Sequence, residues 1–242
     1  MPLSTVLFAL AGLACIFALP AIATDQSRES MFQRLSALEG TGNAEIKYNL
    51  GMFLNNGIGT SRDNKAAFRY FSEAADGGNE LAAYKVGCYY AGQFSGVVPL
   101  SEDDAMKFKL RAADAGYDLA QHDVAMHFSK KGDITTALVW FERASRQANL
   151  PSTAALANYL SGDSSPDKAK GLALMLILKD RMPNASPQLD SRIAAVEGQL
   201  NTEQKMQANL IRSSWLTGPT PLTSIARSGI STVPALLKAN ER

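Results

Sequence analysis

The sequence predicts an all-α fold, an α/α superhelical solenoid of stacked helical hairpins with capping helices at both ends. Three observations predict it. First, the chain repeats itself: "IKYNLGMFL" (46–54) returns as "AAYKVGCYY" (82–90), and "EAADGGNELA" (73–82) returns as "RAADAGYDLA" (111–120). Second, the apolar residues inside each copy recur at helical spacing, Ile46, Leu50, Phe53 and Leu54 in one stretch and Ala67, Tyr70, Phe71 and Ala74 in the next. Third, nothing alternates with period two for long enough to make a sheet. A lone hairpin cannot bury both apolar faces, whereas stacked hairpins bury a continuous core.

The elements follow in order. Residues 1–23 carry no charged side chain, and Val6 to Leu19 is an unbroken apolar run closed by Pro20 and "AIA". That pattern predicts an export signal cleaved after Ala23, although its first residues hold no Lys or Arg. The run is short of the roughly 20 residues a membrane span needs. A retained, uncleaved segment that tethers a scaffold to the membrane is the alternative. Residues 24–43 are expected to form an N-terminal cap, presenting Met31, Leu35 and Leu38.

Residues 44–181 hold about four repeats. A third copy runs through "AQHDVAMHF" and "TTALVWFERASRQAN", a fourth and weaker one through "STAALANYL" and "PDKAKGLALMLILKD". Asp63 and Ser101 stand as N-caps, the latter with Asp104 three residues on, and Ser165-Pro166 would open the last of these helices. Gly77, Gly78 and Gly116 stand where a left-handed residue ends a helix. In residues 182–242, Leu189, Ile193, Val196 and Leu200 mark one capping helix. Met206 and Leu210 mark a second, opened by Asn201 and Gln204 at capping-box spacing. Past "TGPTPL" (217–222) the chain should be short helix or partly disordered tail.

Ile46, Leu50, Gly51, Leu54, Gly57, Gly59, Asp63, Lys65, Ala66, Tyr70, Ala74, Ala75 and Gly78 trace a pattern that resembles the Sel1-like repeat, a relative of the tetratricopeptide repeat. The second copy keeps Ala82, Val86, Gly87, Tyr90, Gly92, Ala105, Phe108, Ala112, Ala113 and Gly116. The third and fourth copies replace the helix glycine by Ala125 and Ala157 and lack the glycine loop. The resemblance implies a right-handed solenoid acting as an adaptor or regulator of assemblies, exported to a bacterial periplasm. Some disulfide-rich relatives imply a second reading, β-lactam binding or hydrolysis. Those relatives pair cysteines within each repeat, whereas removal of the leader leaves this chain only Cys88.

Composition narrows the function. The chain has 242 residues and 46% hydrophobic content, enough for a sizeable core, and a formal net charge of +1 gives no reason to expect nucleic acid or an anionic membrane. It contains no His-Glu-x-x-His, no Gly-x-Ser-x-Gly and no phosphate loop, and two histidines do not make a multi-histidine metal site. No cofactor, metal or catalytic residue is expected. Glu102, Asp103 and Asp104 lie in a first helical turn, where the helix dipole favours negative charge. His127 shares a repeat column with Phe53, Tyr89 and Tyr159, and Trp140 one with Tyr70 and Phe108, so both read as packing rings. The remaining columns of the first helices define the candidate partner groove: Tyr48, Met52 and Asn55, then Tyr84 and Cys88, then His122 and Met126, then Asn158. Tyr offers large contact area with a polar tip, and Met adapts to irregular partners. The partner is expected to be a protein or peptide.

Overall fold

Short polar side chains before each helix satisfy amides that the helix itself leaves unpaired, and they set the periodicity of this chain. Asn43, Asn79 and Asn149 cap α2 (Ala44–Asn56), α4 (Glu80–Tyr90) and α8 (Leu150–Leu160). Asp63, Ser101, Asp133 and Asp167 cap α3 (Asn64–Asp76), α5 (Glu102–Asp114), α7 (Ile134–Arg146) and α9 (Lys168–Arg181). The helix α6 (Asp118–Lys130) breaks the series: its cap position holds Tyr117, whose side chain caps nothing. At α5 the Ser101 hydroxyl accepts from the Asp104 amide at 3.2 Å and donates to the Asp104 carboxylate at 2.7 Å.

The computed structural model describes residues 19–162, 165, 167–182 and 187–241. Among them are thirteen α-helices and no strand. Residues 1–18 of the expected leader lie outside the described residues, and so does Pro166. The last hairpin helix opens at Lys168 behind Asp167 instead of behind Ser165. No helix among the described residues is long and apolar enough to cross a membrane.

Each repeat is a hairpin, α2–α3, α4–α5, α6–α7 and α8–α9, and each packs on the next. Phe53, Phe71, Tyr89 and Phe141 are wholly buried between them, each worth about 1.5–3 kcal/mol. The helix glycine explains how closely the hairpins close. A Cβ on Gly51 would stand 2.7 Å from the Phe71 ring, and one on Gly87 2.9 Å from the Ala105 carbonyl oxygen. The later copies place the fully buried Ala125 and Ala157 in that column.

The turns that join one hairpin to the next need a left-handed residue just before the cap position of the following helix. Gly78 (φ 88°) and Gly116 (φ 95°) supply it, while Gly77 does not, at φ −77°. In the fourth copy this place falls to Ala148, at φ 65°, the one positive-φ residue besides glycine among those described. A left-handed L-residue is strained by about 1–2 kcal/mol. Ala148→Gly is therefore expected to raise stability by roughly 0.5–1 kcal/mol after the added unfolded-chain entropy, a melting-point gain of a few degrees at most. A lower melting temperature by circular dichroism would contradict the strain argument.

The ends are closed by α1 (Leu19–Ala37) in front and by α10 (Pro187–Gln199) and α11 (Thr202–Ser214) behind. Leu35 is wholly buried with Ile46, Leu50 and Phe53, and Phe32 stacks on Phe53 at 6.3 Å. Behind, Ile193, Val196 and Leu200 are buried, and the Asn201–Gln204 capping box forms. Met206 and Leu210 do not face the core; they are 61% and 69% exposed. The inward face of α11 carries Ala208 and the half-buried Ile211 and leads to Trp215, because these residues repeat at helical spacing on the opposite side.

The remaining chain is ordered and does not stay at the back. It crosses the repeats as α12 (Pro221–Ser228) and ends as α13 (Val233–Asn240) against α1. Val233 and Leu237 are wholly buried in the same cluster as Leu35, Asn43 donates to Asn240 at 3.2 Å, and Arg34 pairs with Glu241 at 2.6 Å. The first and last described helices thus share one cap.

Candidate partner-binding face

The first helices of the repeats, α2, α4, α6 and α8, stand side by side and are tied by side-chain hydrogen bonds between neighbours. The Tyr89 hydroxyl donates to Asn55 Oδ1 at 2.9 Å, and two repeats later Ser129 Oγ and the Tyr159 hydroxyl lie 2.7 Å apart in the same pair of columns. The Tyr84 hydroxyl donates to Asp123 at 3.4 Å, and His122 Nδ1 lies 2.8 Å from Ser152 Oγ. Between the second and third repeats the first of these ties is missing. Ala91 stands where Asn55 and Ser129 do, and His127 lies 3.3 Å from Glu102 instead.

These ties correct part of the expected groove. Asn55 is 5% exposed and spent on Tyr89, and Cys88 is a free, buried thiol whose pKa burial pushes up. Neither presents itself to a partner. Tyr48, Tyr84 and His122 are half-buried, Met52 likewise, and Met126 and Asn158 are exposed. Burial raises the Tyr48 hydroxyl to about 12, and Tyr84 sits edge-on to Tyr117 with its own pKa pushed up by burial. All stay protonated at neutral pH, so Tyr48 and Tyr84 act as neutral hydrogen-bonding groups.

His122 packs on Phe141 with ring centroids 5.8 Å apart, and burial lowers its pKa despite Asp123 and Asp118. The unfolded chain then binds the proton more readily than the folded one. Stability is expected to be flat above about pH 6.5 and to fall as pH drops through the window between the ordinary histidine value and the lowered one. Urea melts at several pH values check this: the stability difference between the protein and His122→Gln should narrow or change sign on acidification, and a pH-independent difference would contradict it.

Of the expected groove residues, Tyr48, Met52, Met126 and Asn158 fall into three separate depressions rather than one, and Tyr84 and His122 line none of the three. Tyr48 and Met52 line a cavity of about 260 Å³ with Glu45, Asn49, Leu81 and, from the C-terminal crossing, Leu222, Ile225, Ala226 and Ile230. Met126 borders an open cleft of about 400 Å³ with Leu100, Lys109, Asp123 and His127, at the missing tie. Asn158 borders a third, of about 380 Å³, with Met175, Leu189 and Arg192. Lys109 and Asp123 pair at 2.7 Å inside the second. Among the described residues no group of three His, Cys, Asp or Glu side chains is placed to hold a metal ion.

The residues that sequence reasoning missed belong to the crossing segment, residues 216–231, here called the strap. Trp215 anchors one end: it is 3% exposed, donates from its indole to Ser145 Oγ at 2.8 Å, and lies under Arg146 at 4.2 Å. The Thr217 amide donates to the Arg146 carbonyl at 2.9 Å. The hydroxyls of Thr220 and Thr223 donate to the Gly116 carbonyl at 2.9 and 3.1 Å, and the Thr220 amide donates to Gln147 Oε1 at 2.9 Å. Thr223 Oγ1 accepts from the Asp118 amide at 3.1 Å, so the strap satisfies an amide at the start of the one repeat helix that lacks its own side-chain cap. Arg227 reaches both the Asp118 carboxylate (2.7 Å), itself 5% exposed, and the Gln147 carbonyl (3.0 Å). The sequence signal was Tyr117, where neighbouring copies have Asn79 and Asn149.

The hairpins, their glycine columns and their capped turns are the geometry of one repeat family, and its model matches residues 45–79, 81–117 and 118–149 as the Sel1 repeat. These three stretches, under half of the chain, are similar to the Sel1 repeat. Sel1 repeats generally act as scaffolds for protein interaction. The α8–α9 hairpin lies beyond that match and stacks on α7 like a further repeat. Among solved structures, the Sel1 repeat protein from Oxalobacter formigenes is similar in fold, with a TM-score of 0.57 and 17% identity over 68% of this chain and 70% of its own. A protective antigen of uropathogenic Escherichia coli with an SLR fold matches at a TM-score of 0.47 and 16% identity, over 80% of this chain and 50% of its own. No curated protein matches the sequence.

Proposed function

We propose that this protein is a non-enzymatic adaptor of the bacterial cell envelope that holds a protein or peptide segment against the first-helix side of its repeats. The observation that carries the reading is the strap. Sixteen residues of ordinary chain lie across the ends of the first helices and exchange hydrogen bonds with the repeat backbone at Gly116, Asp118 and Gln147. A face that holds one peptide segment by its polar groups is chemically suited to hold another. The leader-like residues 1–23 support export to a periplasm, and the balanced charge supports neither nucleic acid nor a membrane surface as partner.

The test is affinity capture from an envelope extract with the whole exported protein as bait. Capture should be lost when Met52 and Met126 are both replaced by Glu, and kept when the exposed Lys65 on α3 is replaced by Glu. Equal capture by both variants would move the partner to another face. Steady hydrolysis of a chromogenic β-lactam would overturn the non-enzymatic reading outright.

A further inference from the structure

The strap is held in two different ways along its length. Its ends are apolar anchors, Trp215 at one side and Val233, Leu236 and Leu237 at the other, all less than a tenth exposed. Its middle is held by hydroxyls, one guanidinium and the half-buried Leu222 and Ala226. Each such hydrogen bond contributes little net stability, because the same groups bond water when released. Beneath the middle the packing is incomplete. Leu222, Ile225, Ala226 and Ile230 face Tyr48, Met52 and Leu81 across the 260 Å³ cavity, and Ile225 is 47% exposed. The depression is partly open to solvent, so a segment that fills it gains contacts the strap does not make.

We infer that the edge formed by Gly78–Leu81, Gly116–Asp118 and Gln147 is a peptide-docking track whose resident occupant is the strap, and that its exchangeable partner is a segment of the same chemistry. This deepens the adaptor reading and rests on it. Two features of the strap and the cavity beneath it define that chemistry. Two hydroxyl residues stand three apart, as Thr220 and Thr223 do, one answering Gly116 and the other the uncapped Asp118 amide. A basic residue follows four positions later, as Arg227 does, opposite the buried Asp118 carboxylate. An apolar residue bulkier than Ala226 lies between them, over the cavity. Glu45 borders the cavity, Glu80 there is paired with Arg111, and no cationic side chain lines it, which disfavours an acidic segment. The tethered strap has the advantage of effective concentration, on the order of millimolar for a short connection, so a partner must bind more tightly than the strap's own sequence.

The experiment uses the full chain and its Thr223→Ala/Arg227→Gln variant, with Thr223→Ala alone as the milder form should the double variant lose helicity. The probe is a labelled synthetic peptide of residues 217–230, alongside versions carrying Leu for Ala226 or Glu for Arg227. Hydrogen exchange of residues 216–231 should speed up by about tenfold or more in the variant, while α2 to α9 keep their protection. The peptide should bind the variant saturably and the unaltered protein at least about tenfold more weakly, the Leu version more tightly, and the Glu version not at all. Two outcomes overturn the inference: a strap that exchanges only with global unfolding, or a loosened variant that ignores the peptide. Either leaves the adaptor reading intact if the Met52/Met126 variant still loses its partner, so the two proposals fail separately.

Discussion

Trp215→Ala is expected to destabilise the protein by about 3–5 kcal/mol, the range for deleting a buried aromatic side chain. The ring belongs to the same core cluster as Ile193, Val196 and Leu200, and Arg146 and Lys170 lie over it at 4.2 and 5.1 Å. Ser145 Oγ keeps a partner in Thr153 at 2.9 Å, so the loss is one of packing and cation–π attraction more than of an orphaned hydroxyl. In a solenoid, stability is the sum of local and nearest-neighbour contributions. The damage should therefore concentrate at one end, with α10, α11 and the strap losing hydrogen-exchange protection while α2 to α5 retain it. Trp215→Phe should recover most of the loss. A uniform loss of protection, or a cost under about 1 kcal/mol, would show that Trp215 is not the anchor of the back cap.

The second large effect is at Gly59. Its φ is 60°, and a Cβ there would lie 2.3 Å from the Arg28 carbonyl carbon and 2.4 Å from the Glu29 nitrogen. Those are main-chain atoms of α1, so no side-chain rotation relieves the clash. Gly59→Ala combines about 1–2 kcal/mol of left-handed strain with displacement of α1. The displaced helix takes Leu35 and Phe32 away from Phe53 and loosens α13, which shares their cluster. Gly57 provides the control. It is also left-handed, at φ 67°, but its added Cβ would meet nothing closer than 3.4 Å. Gly57→Ala should cost the strain alone, and Gly59→Ala at least about 2 kcal/mol more. The check is a pair of denaturant melts, with limited proteolysis of residues 37–43 to detect the freed helix. Equal costs at the two glycines would remove the close-approach argument.

The repeat was legible because its determinants are local and recur. Cap residues such as Asp63 and Ser101 act on the next turn, and the apolar columns of Ile46, Leu50 and Phe53 need only helical geometry to line up. The candidate site was less legible. Tyr48 and Met52 reach a cavity, but one wall of that cavity includes Leu222, Ile225 and Ala226, more than a hundred and sixty residues later in the chain. Asn55 occupies the outward column of α2 by angle, yet Tyr89 of the next repeat claims it. Helical periodicity places a residue on a face and says nothing of which neighbour covers that face. Met206 and Leu210 mislead for the same reason: two apolar residues suggest a buried stripe, and the small Ala208 proves to mark the real one.

The sequence by itself determined that this chain makes helical hairpins, where most of them begin, and that they must stack, because caps, turns and apolar spacing are short-range properties. Only the tertiary structure decided that the chain returns along its own repeats and closes the front with its last helix. That path depends on a threonine meeting an uncapped amide and an arginine meeting a buried aspartate across more than a hundred residues, and such long-range pairings leave no periodic trace in the order of the amino acids.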